Sequence, residues 1–254
     1  MDTVSISLDS IHPEKHDDFR GVKGAWEKAV NAIKALKAQG ILVQVNTTVT
    51  RDNYEEIERI FEFVEKLGVE NFHLFFLVPT GRGVKIEDIT PEMYEEMIRH
   101  TLKILPRYGL NVKFSCAPQF MRIMQQTHSQ MRHIQSNMRG CIAAFYYCRV
   151  CPTGDVTPCP YLPIKLGNTR EKPFSEIWFN SKVLNDIRNP DKLKGKCGKC
   201  HYRYICGGCR ARAYGLTAKF IDFCGGLHEP AELKGDYMAE EPWCTYKPEG
   251  SHSR

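Results

Sequence analysis

The first hundred residues alternate between short apolar runs and stretches whose apolar residues recur at helical spacing. Residues 3–8 (TVSISL) are a β-prone run. In residues 24–39, Trp26, Val30, Ile33 and Leu36 mark one helical face, and Gly40 stands where a C-cap glycine belongs. Residues 41–49 (ILVQVNTTV) read as a second strand. Asp52, with Glu55 three residues on, predicts a capping box for the next helix. Ile57, Ile60, Phe61, Val64 and Leu67 give that helix its apolar face, and Gly68 ends it. Residues 71–78 (NFHLFFLV) predict a third strand, and Thr80-Gly81-Arg82-Gly83 a loop. Thr90-Pro91 opens a further helix with Pro at the favoured first position, running to about Leu105.

This β-α-β-α-β-α order predicts parallel strands joined by right-handed crossovers. Three or four such strands cannot close a barrel, which needs about eight. Functional residues of α/β sheets gather at the C-terminal strand ends. Here those ends are Ser7-Leu8-Asp9-Ser10, Asn46-Thr47-Thr48 and Val78-Pro79-Thr80-Gly81, three polar or turn-forming segments that predict a pocket.

Composition narrows the function classes. The 254 residues carry a net charge of +5 from 35 basic and 30 acidic side chains, too mild and dispersed to argue for nucleic acid. No apolar run approaches the roughly 18–20 residues of a membrane span, and residues 1–4 do not read as a signal peptide. A cytoplasmic location, with no membrane partner, is the expectation. All eleven cysteines lie between Cys116 and Cys244. In a reducing compartment such thiols are read first as metal ligands.

Cys197, Cys200, Cys206 and Cys209 form two CxxC pairs five residues apart, with glycines at 198, 207 and 208. That spacing alone also suits a zinc knuckle. Upstream, Cys141 is followed after twelve residues by Gly154 and after four more by Cys159. Pro152-Thr153-Gly154-Asp155 reads as a turn, Cys148 and Cys151 make a further CxxC, and Cys244 lies far downstream. Cys224 sits in a stretch, 218–235, that reads as an inserted loop. One zinc ion needs four ligands; two clusters would use eight thiolates.

The order C-x12-G-x4-C, a gap, C-x2-C-x5-C, a close cysteine and a distant final one resembles the SPASM/twitch auxiliary-cluster domain of radical S-adenosylmethionine (SAM) enzymes. The fourth clustered cysteine follows after two residues, where the family has three. Leu166-Gly167-Asn168 and Phe174-Ser175-Glu176-Ile177-Trp178 resemble the family's stretch between its cysteine groups. HDDFRG (16–21), VPTGRG (78–83), GGCRARAY (207–214) and EEPWC (240–244) resemble the subgroup that remodels porphyrin side chains in haem biosynthesis.

The resemblance implies an α/β fold: the C-terminal half of a partial (βα)6 TIM-like barrel over 1–115, a helical linker over 116–140, and a small Cys-rich SPASM domain over 141–248. It implies one or two auxiliary [4Fe–4S] clusters. Cys197, Cys200, Cys206 and Cys244 would hold one. Cys141, Cys159 and Cys209 would hold the other, with Cys148 or Cys151 as a further candidate. It also implies SAM contacts from Ser7, Arg20 and Asn46, and a ferredoxin-type electron donor. Without the resemblance, Arg20 reads as a solvated surface arginine.

The family's CxxxCxxC, which holds the SAM-cleaving cluster, does not occur in the sequence, so the chain is expected to be N-terminally truncated relative to the family and inactive alone. The expected function is remodelling of a porphyrin side chain, by decarboxylation or deacetylation, with Arg203, Arg210 and Arg212 as candidate partners of the porphyrin carboxylates. A peptide or a tungsten- or molybdenum-cofactor precursor is the alternative substrate. Non-catalytic electron transfer and a zinc-stabilised binding module are the alternative functions.

Overall fold

The computed structural model describes residues 3–78, 88–127, 139–217 and 235–248. The loop predicted at Thr80-Gly81-Arg82-Gly83, Cys224 with its predicted insertion, and the linker past Thr127 up to position 138 lie outside the described residues. Two compact units result, one containing the described residues 3–77 and 88–127, the other Val78, 139–217 and 235–248.

In the first unit, β1 (Thr3–Ser7), β2 (Leu42–Val49), β3 (Asn71–Phe76) and β4 (Asn111–Ser115) form one parallel sheet in chain order. Helices α1 (Pro13–Arg20) and α2 (Ala25–Ala38) join β1 to β2, α3 (Ile57–Lys66) joins β2 to β3, and α4 (Pro91–Ile104) lies between β3 and β4. A fifth helix, α5 (Phe120–Gln126), packs against α4 inside this unit.

Strand side chains alternate between the two faces. Val43, Val45, Thr47 and Val49, with Phe72, Leu74 and Phe76 and with Val112 and Phe114, are buried on one face. Phe61 of α3 meets Phe72 at 4.7 Å between ring centroids, and Tyr94 of α4 meets Phe76 at 4.5 Å. The other face carries polar groups in register: Ser7 beside Asn46, Asn46 beside His73, His73 beside Lys113. A parallel sheet commonly reads as hydrophobic on both faces; this one keeps a polar row across all four strands, half-buried at Ser7, Asn46 and Lys113 and buried at His73.

Most predicted boundaries agree with the structure. Gly40 and Gly68 both adopt left-handed backbone, and the Thr90 hydroxyl accepts the Met93 N–H at 3.3 Å as the cap of α4. The predicted capping box at Asp52 and Glu55 does not form. Asn53 precedes a short 3-10 turn, Tyr54–Glu56, and spends its side chain on the neighbouring strand ends. Helix α1 has no counterpart in the predicted elements. Its sequence, PEKHDDFR, lacks an apolar stripe, and His16 is its one buried residue.

In the second unit, β5 (Arg149–Val150), β6 (Asp155–Thr157) and β7 (Gly167–Asn168) form a small antiparallel sheet. The turn predicted at Pro152–Asp155 joins β5 to β6, with Gly154 N–H donating to Cys151 O at 2.8 Å. Four helices follow: α6 (Phe174–Asn180), α7 (Lys182–Arg188), the single turn α8 (Gly195–Gly198) and α9 (Arg210–Thr217). Buried apolar residues here are few, among them Val156, Leu162, Ile177, Leu184 and Ala211, so polar networks do much of the fixing. Burial opposes ionisation of Asp186, but hydrogen bonds from Lys182, Lys192 and Tyr237 outweigh it and hold the carboxyl down to about 2.

Candidate functional site

The first candidate site begins where β1 ends. Leu8 N–H donates to Asn46 O at 2.9 Å, and the Thr47 hydroxyl donates to Leu8 O at 2.5 Å, which fastens the chain leaving β1 to β2. Asp9, 2% exposed, then turns its carboxylate back to the sheet. Its Oδ1 accepts Thr48 N–H at 2.9 Å, and its Oδ2 accepts Arg20 Nε at 2.7 Å and Nη2 at 2.6 Å. The solvated arginine read from sequence is thus a two-pronged partner of a buried carboxylate, with its side chain still one-third exposed.

Asp9 N–H donates to His16 Nδ1 at 3.1 Å. A ring nitrogen that accepts carries no proton, so His16 is neutral and its Nδ1, 3.5 Å from Asp9 Oδ2, makes no ion pair. Burial, which holds the imidazole pKa below its usual range, acts in the same direction. Asp17 takes the N–H groups of Gly24 and Trp26 at 2.5 and 2.8 Å, capping α2 from the preceding helix. These bonds lower its carboxyl pKa, that to Trp26 most.

Ser7 and Asn46 sit side by side on the polar face. Gln44 Nε2 donates to Asn46 Oδ1 at 2.8 Å and to Ser5 Oγ at 3.1 Å. His73 and Lys113 complete this row and were not singled out in the sequence. In β4 the signal was available, since Lys113 falls between the apolar Val112 and Phe114; in β3 it was masked, because Phe75 shares the face of His73.

The second candidate site is built from thiols. Cys159 feels the charge of Cys209 and Cys141, and Cys209 that of Cys141. Cys206 is electrostatically coupled to Cys197 and Cys244, and Cys197 to Cys200. The chain thus joins Cys159 to Cys209, 50 positions on, in a group of three thiols, and Cys206 to Cys244, 38 positions on, in a group of four. Cys148 and Cys159 both act on the Tyr147 hydroxyl, whereas Cys151 opens the β5–β6 turn. Cys116 follows β4 in the first unit, at φ +59°.

Burial pushes the thiols of Cys141, Cys159, Cys197 and Cys206 up, and that of Cys209 up to about 11. Left to themselves these groups stay protonated; a bound metal supplies the positive charge that draws off the protons. Among the described residues, no three His, Cys, Asp or Glu converge tightly enough for a single metal ion. Seven thiols are more than one zinc ion needs, and thiolates are the ligands of iron–sulfur clusters.

Glu241 ties the thiol groups together and was missed in the sequence. It is 1% exposed. Its Oε2 accepts Cys209 N–H at 2.5 Å, its Oε1 accepts from Arg212 Nη1 at 3.2 Å and from Trp243 N–H at 3.3 Å, and its own N–H donates to Cys197 Sγ at 3.2 Å. Arg212, fully buried, also stacks over Trp243 at 4.1 Å. Glu241 and Trp243 of EEPWC therefore grip GGCRARAY. Arg210 and Arg212, candidates for porphyrin carboxylates, are instead buried among groups of their own module, and Arg203 pairs with Asp191 at 3.1 Å.

Comparison with known proteins agrees with both halves of this description. Residues 1–64 match the radical SAM superfamily, and residues 141–201 match the SPASM iron–sulfur cluster-binding domain. The chain is 39% identical to the AdoMet-dependent heme synthase of Methanosarcina barkeri, over 96% of its own length and 68% of that protein's. It is 39% identical to the protein of the same name from Oleidesulfovibrio alaskensis, covering 96% of itself and 61% of the relative. It thus spans about two-thirds of the length of these curated relatives. The SAM-bound structure of Streptococcus suis SuiB superposes with a TM-score of 0.64 at 19% identity, over 83% of this chain and 50% of that one. The fold class is accordingly the partial TIM-like barrel followed by a SPASM domain.

Proposed function

The chain belongs to the radical SAM family whose members carry a SPASM iron–sulfur domain, and on that footing we propose that it works in an enzyme that remodels a porphyrin side chain, by decarboxylation or deacetylation, during haem-type cofactor synthesis. The observation that carries this reading is the 39% identity to an AdoMet-dependent heme synthase, sustained over 96% of the chain and thus through both units. In this family, SAM and its cluster supply a carbon radical that takes hydrogen from the substrate.

The chain's own residues do the positioning. Asp9 sets the guanidinium of Arg20 at the end of β1, where it is suited to a carboxylate such as that of SAM. Ser7 and Asn46 offer a hydroxyl and an amide to the ribose side, on the same polar face. In the second unit, Cys197, Cys200, Cys206 and Cys244 would hold one [4Fe–4S] cluster. Cys141, Cys159 and Cys209 would hold a second, with Cys148, the one of the two further candidates that shares Tyr147 with Cys159, as its fourth ligand. A ferredoxin-type donor would supply electrons. A cytoplasmic location accords with the reading of the eleven thiols as metal ligands. No helix among the described residues is long and apolar enough to cross a membrane.

Anaerobic reconstitution of this chain is expected to yield bound iron and sulfide. Cys206→Ala and Cys159→Ala should each remove about half of the iron and leave the rest, because they belong to different thiol groups. Zinc without sulfide would sink the cluster reading.

Because its 254 residues contain no CxxxCxxC, the polypeptide supplied with SAM and dithionite is expected to release no 5′-deoxyadenosine. A fusion that adds a CxxxCxxC-bearing segment ahead of Thr3 should release it and lower the mass of Fe-coproporphyrin or didecarboxysirohaem. If 5′-deoxyadenosine forms while neither porphyrin loses mass, the radical chemistry stands and the haem assignment falls.

A further inference from the structure

Arg210 is 4% exposed, and one arm of its guanidinium is tied down: Nη1 donates to Ala239 O at 2.6 Å and to Tyr237 O at 3.1 Å. The other edge, Nε and Nη2, is buried and meets no hydrogen-bond acceptor among the described residues. An unpaired buried donor costs on the order of 1–3 kcal/mol, and native proteins leave few of them. Among the described residues no carboxylate is hydrogen-bonded to this arginine either; Glu241 bonds Arg212 instead.

The position of that open edge is defined by its neighbours. Nη2 lies against Gly208, at φ +64° between Cys206 and Cys209, where an added Cβ would run into the guanidinium and would approach Glu241 Cβ to 3.0 Å. The glycine thus makes room for the arginine beside the thiols. The charge of Arg210 is felt at Cys141 and at Cys197, one member of each thiol group.

We propose that the Nε–H and Nη2–H of Arg210 are held in reserve for sulfur atoms of the bound iron–sulfur clusters, to which they donate hydrogen bonds that raise the reduction potential. A cluster in thiolate ligation gains negative charge when reduced, and a buried cation with N–H donors at its sulfurs stabilises the reduced form more than the oxidised one. Arg210 is in this account a positioning and tuning residue, not a ligand. The inference rests on the cluster reading above.

The test uses the reconstituted 254-residue chain, with iron and sulfide measured first and the potentials then followed by electron paramagnetic resonance. Absence of iron in the unmodified protein would overturn the cluster reading and this inference with it. With iron retained, Arg210→Gln is expected to lower at least one midpoint so that the ratio of reduced to oxidised cluster falls about tenfold at fixed ambient potential, about 59 mV for one electron. Arg210→Lys, which keeps the charge but loses the fork, should shift it less. Lys172→Gln, at the Glu176 surface pair, should leave it in place. Unchanged potentials in an iron-loaded Arg210→Gln, or an equal shift in Lys172→Gln, would overturn the proposal. If the Arg210 variants fail to hold iron, unmodified protein labelled with 15N-arginine decides: guanidinium nitrogen coupled to the reduced cluster in pulsed resonance sustains it, and its absence overturns it.

Discussion

Replacing Glu241 with alanine is expected to destabilise the second unit by about 3–5 kcal/mol, the range for removing one partner of a buried ion pair. The reason is what stays behind. Arg212 is fully buried and would keep its charge with no carboxylate on Nη1. Cys209 N–H and Trp243 N–H would lose their acceptor at the same time. Glu241→Gln, which keeps an acceptor oxygen but drops the charge, should cost clearly less. Urea unfolding read from Trp243 fluorescence, with Trp26 and Trp178 changed to Phe in every variant, measures the difference. A midpoint unchanged in Glu241→Ala would mean that the pair contributes nothing net. Because the Glu241 carboxylate holds the backbone N–H of Cys209, the same variant should also lose iron that Glu241→Gln retains.

The second large effect is expected in the first unit. Asp9→Ala removes the acceptor of Thr48 N–H and both bonds from Arg20, at a cost of about 1–3 kcal/mol. The figure sits below that for Glu241 because the Arg20 side chain is one-third exposed and rehydrates once released. Asp9→Asn should fall between, since its amide oxygen still takes the Thr48 N–H. Hydrogen exchange followed by mass spectrometry locates the effect: amides around Leu8 and Thr48 should exchange faster, and those of β4 should not. Uniform acceleration across the sheet, or none, would contradict the role given to Asp9. In the SAM-competent fusion, the same substitution should weaken SAM binding through the loss of an ordered Arg20.

Period and spacing determined much of this protein from its sequence alone. The strands over 3–8, 41–49 and 71–78 were legible because alternate burial leaves a trace in residue type, and α2, α3 and α4 because their apolar faces repeat at helical spacing. The thiol pairs were legible because cysteine is rare and its chemistry narrow. Helix α1 was not legible, since PEKHDDFR has no stripe to detect; it is held by His16, Asp17 and Arg20, each bonded to a residue seven or more positions away. Nor could spacing foretell that Asn53 would clamp two strand ends in place of the Asp52 box. The same holds for Glu241, 32 residues from Cys209 and 29 from Arg212 in the chain. A carboxylate in EEPWC looks solvent-bound in one dimension. Only folding takes it out of water, and a charge out of water is stable only where buried donors and a countercharge have been brought to meet it.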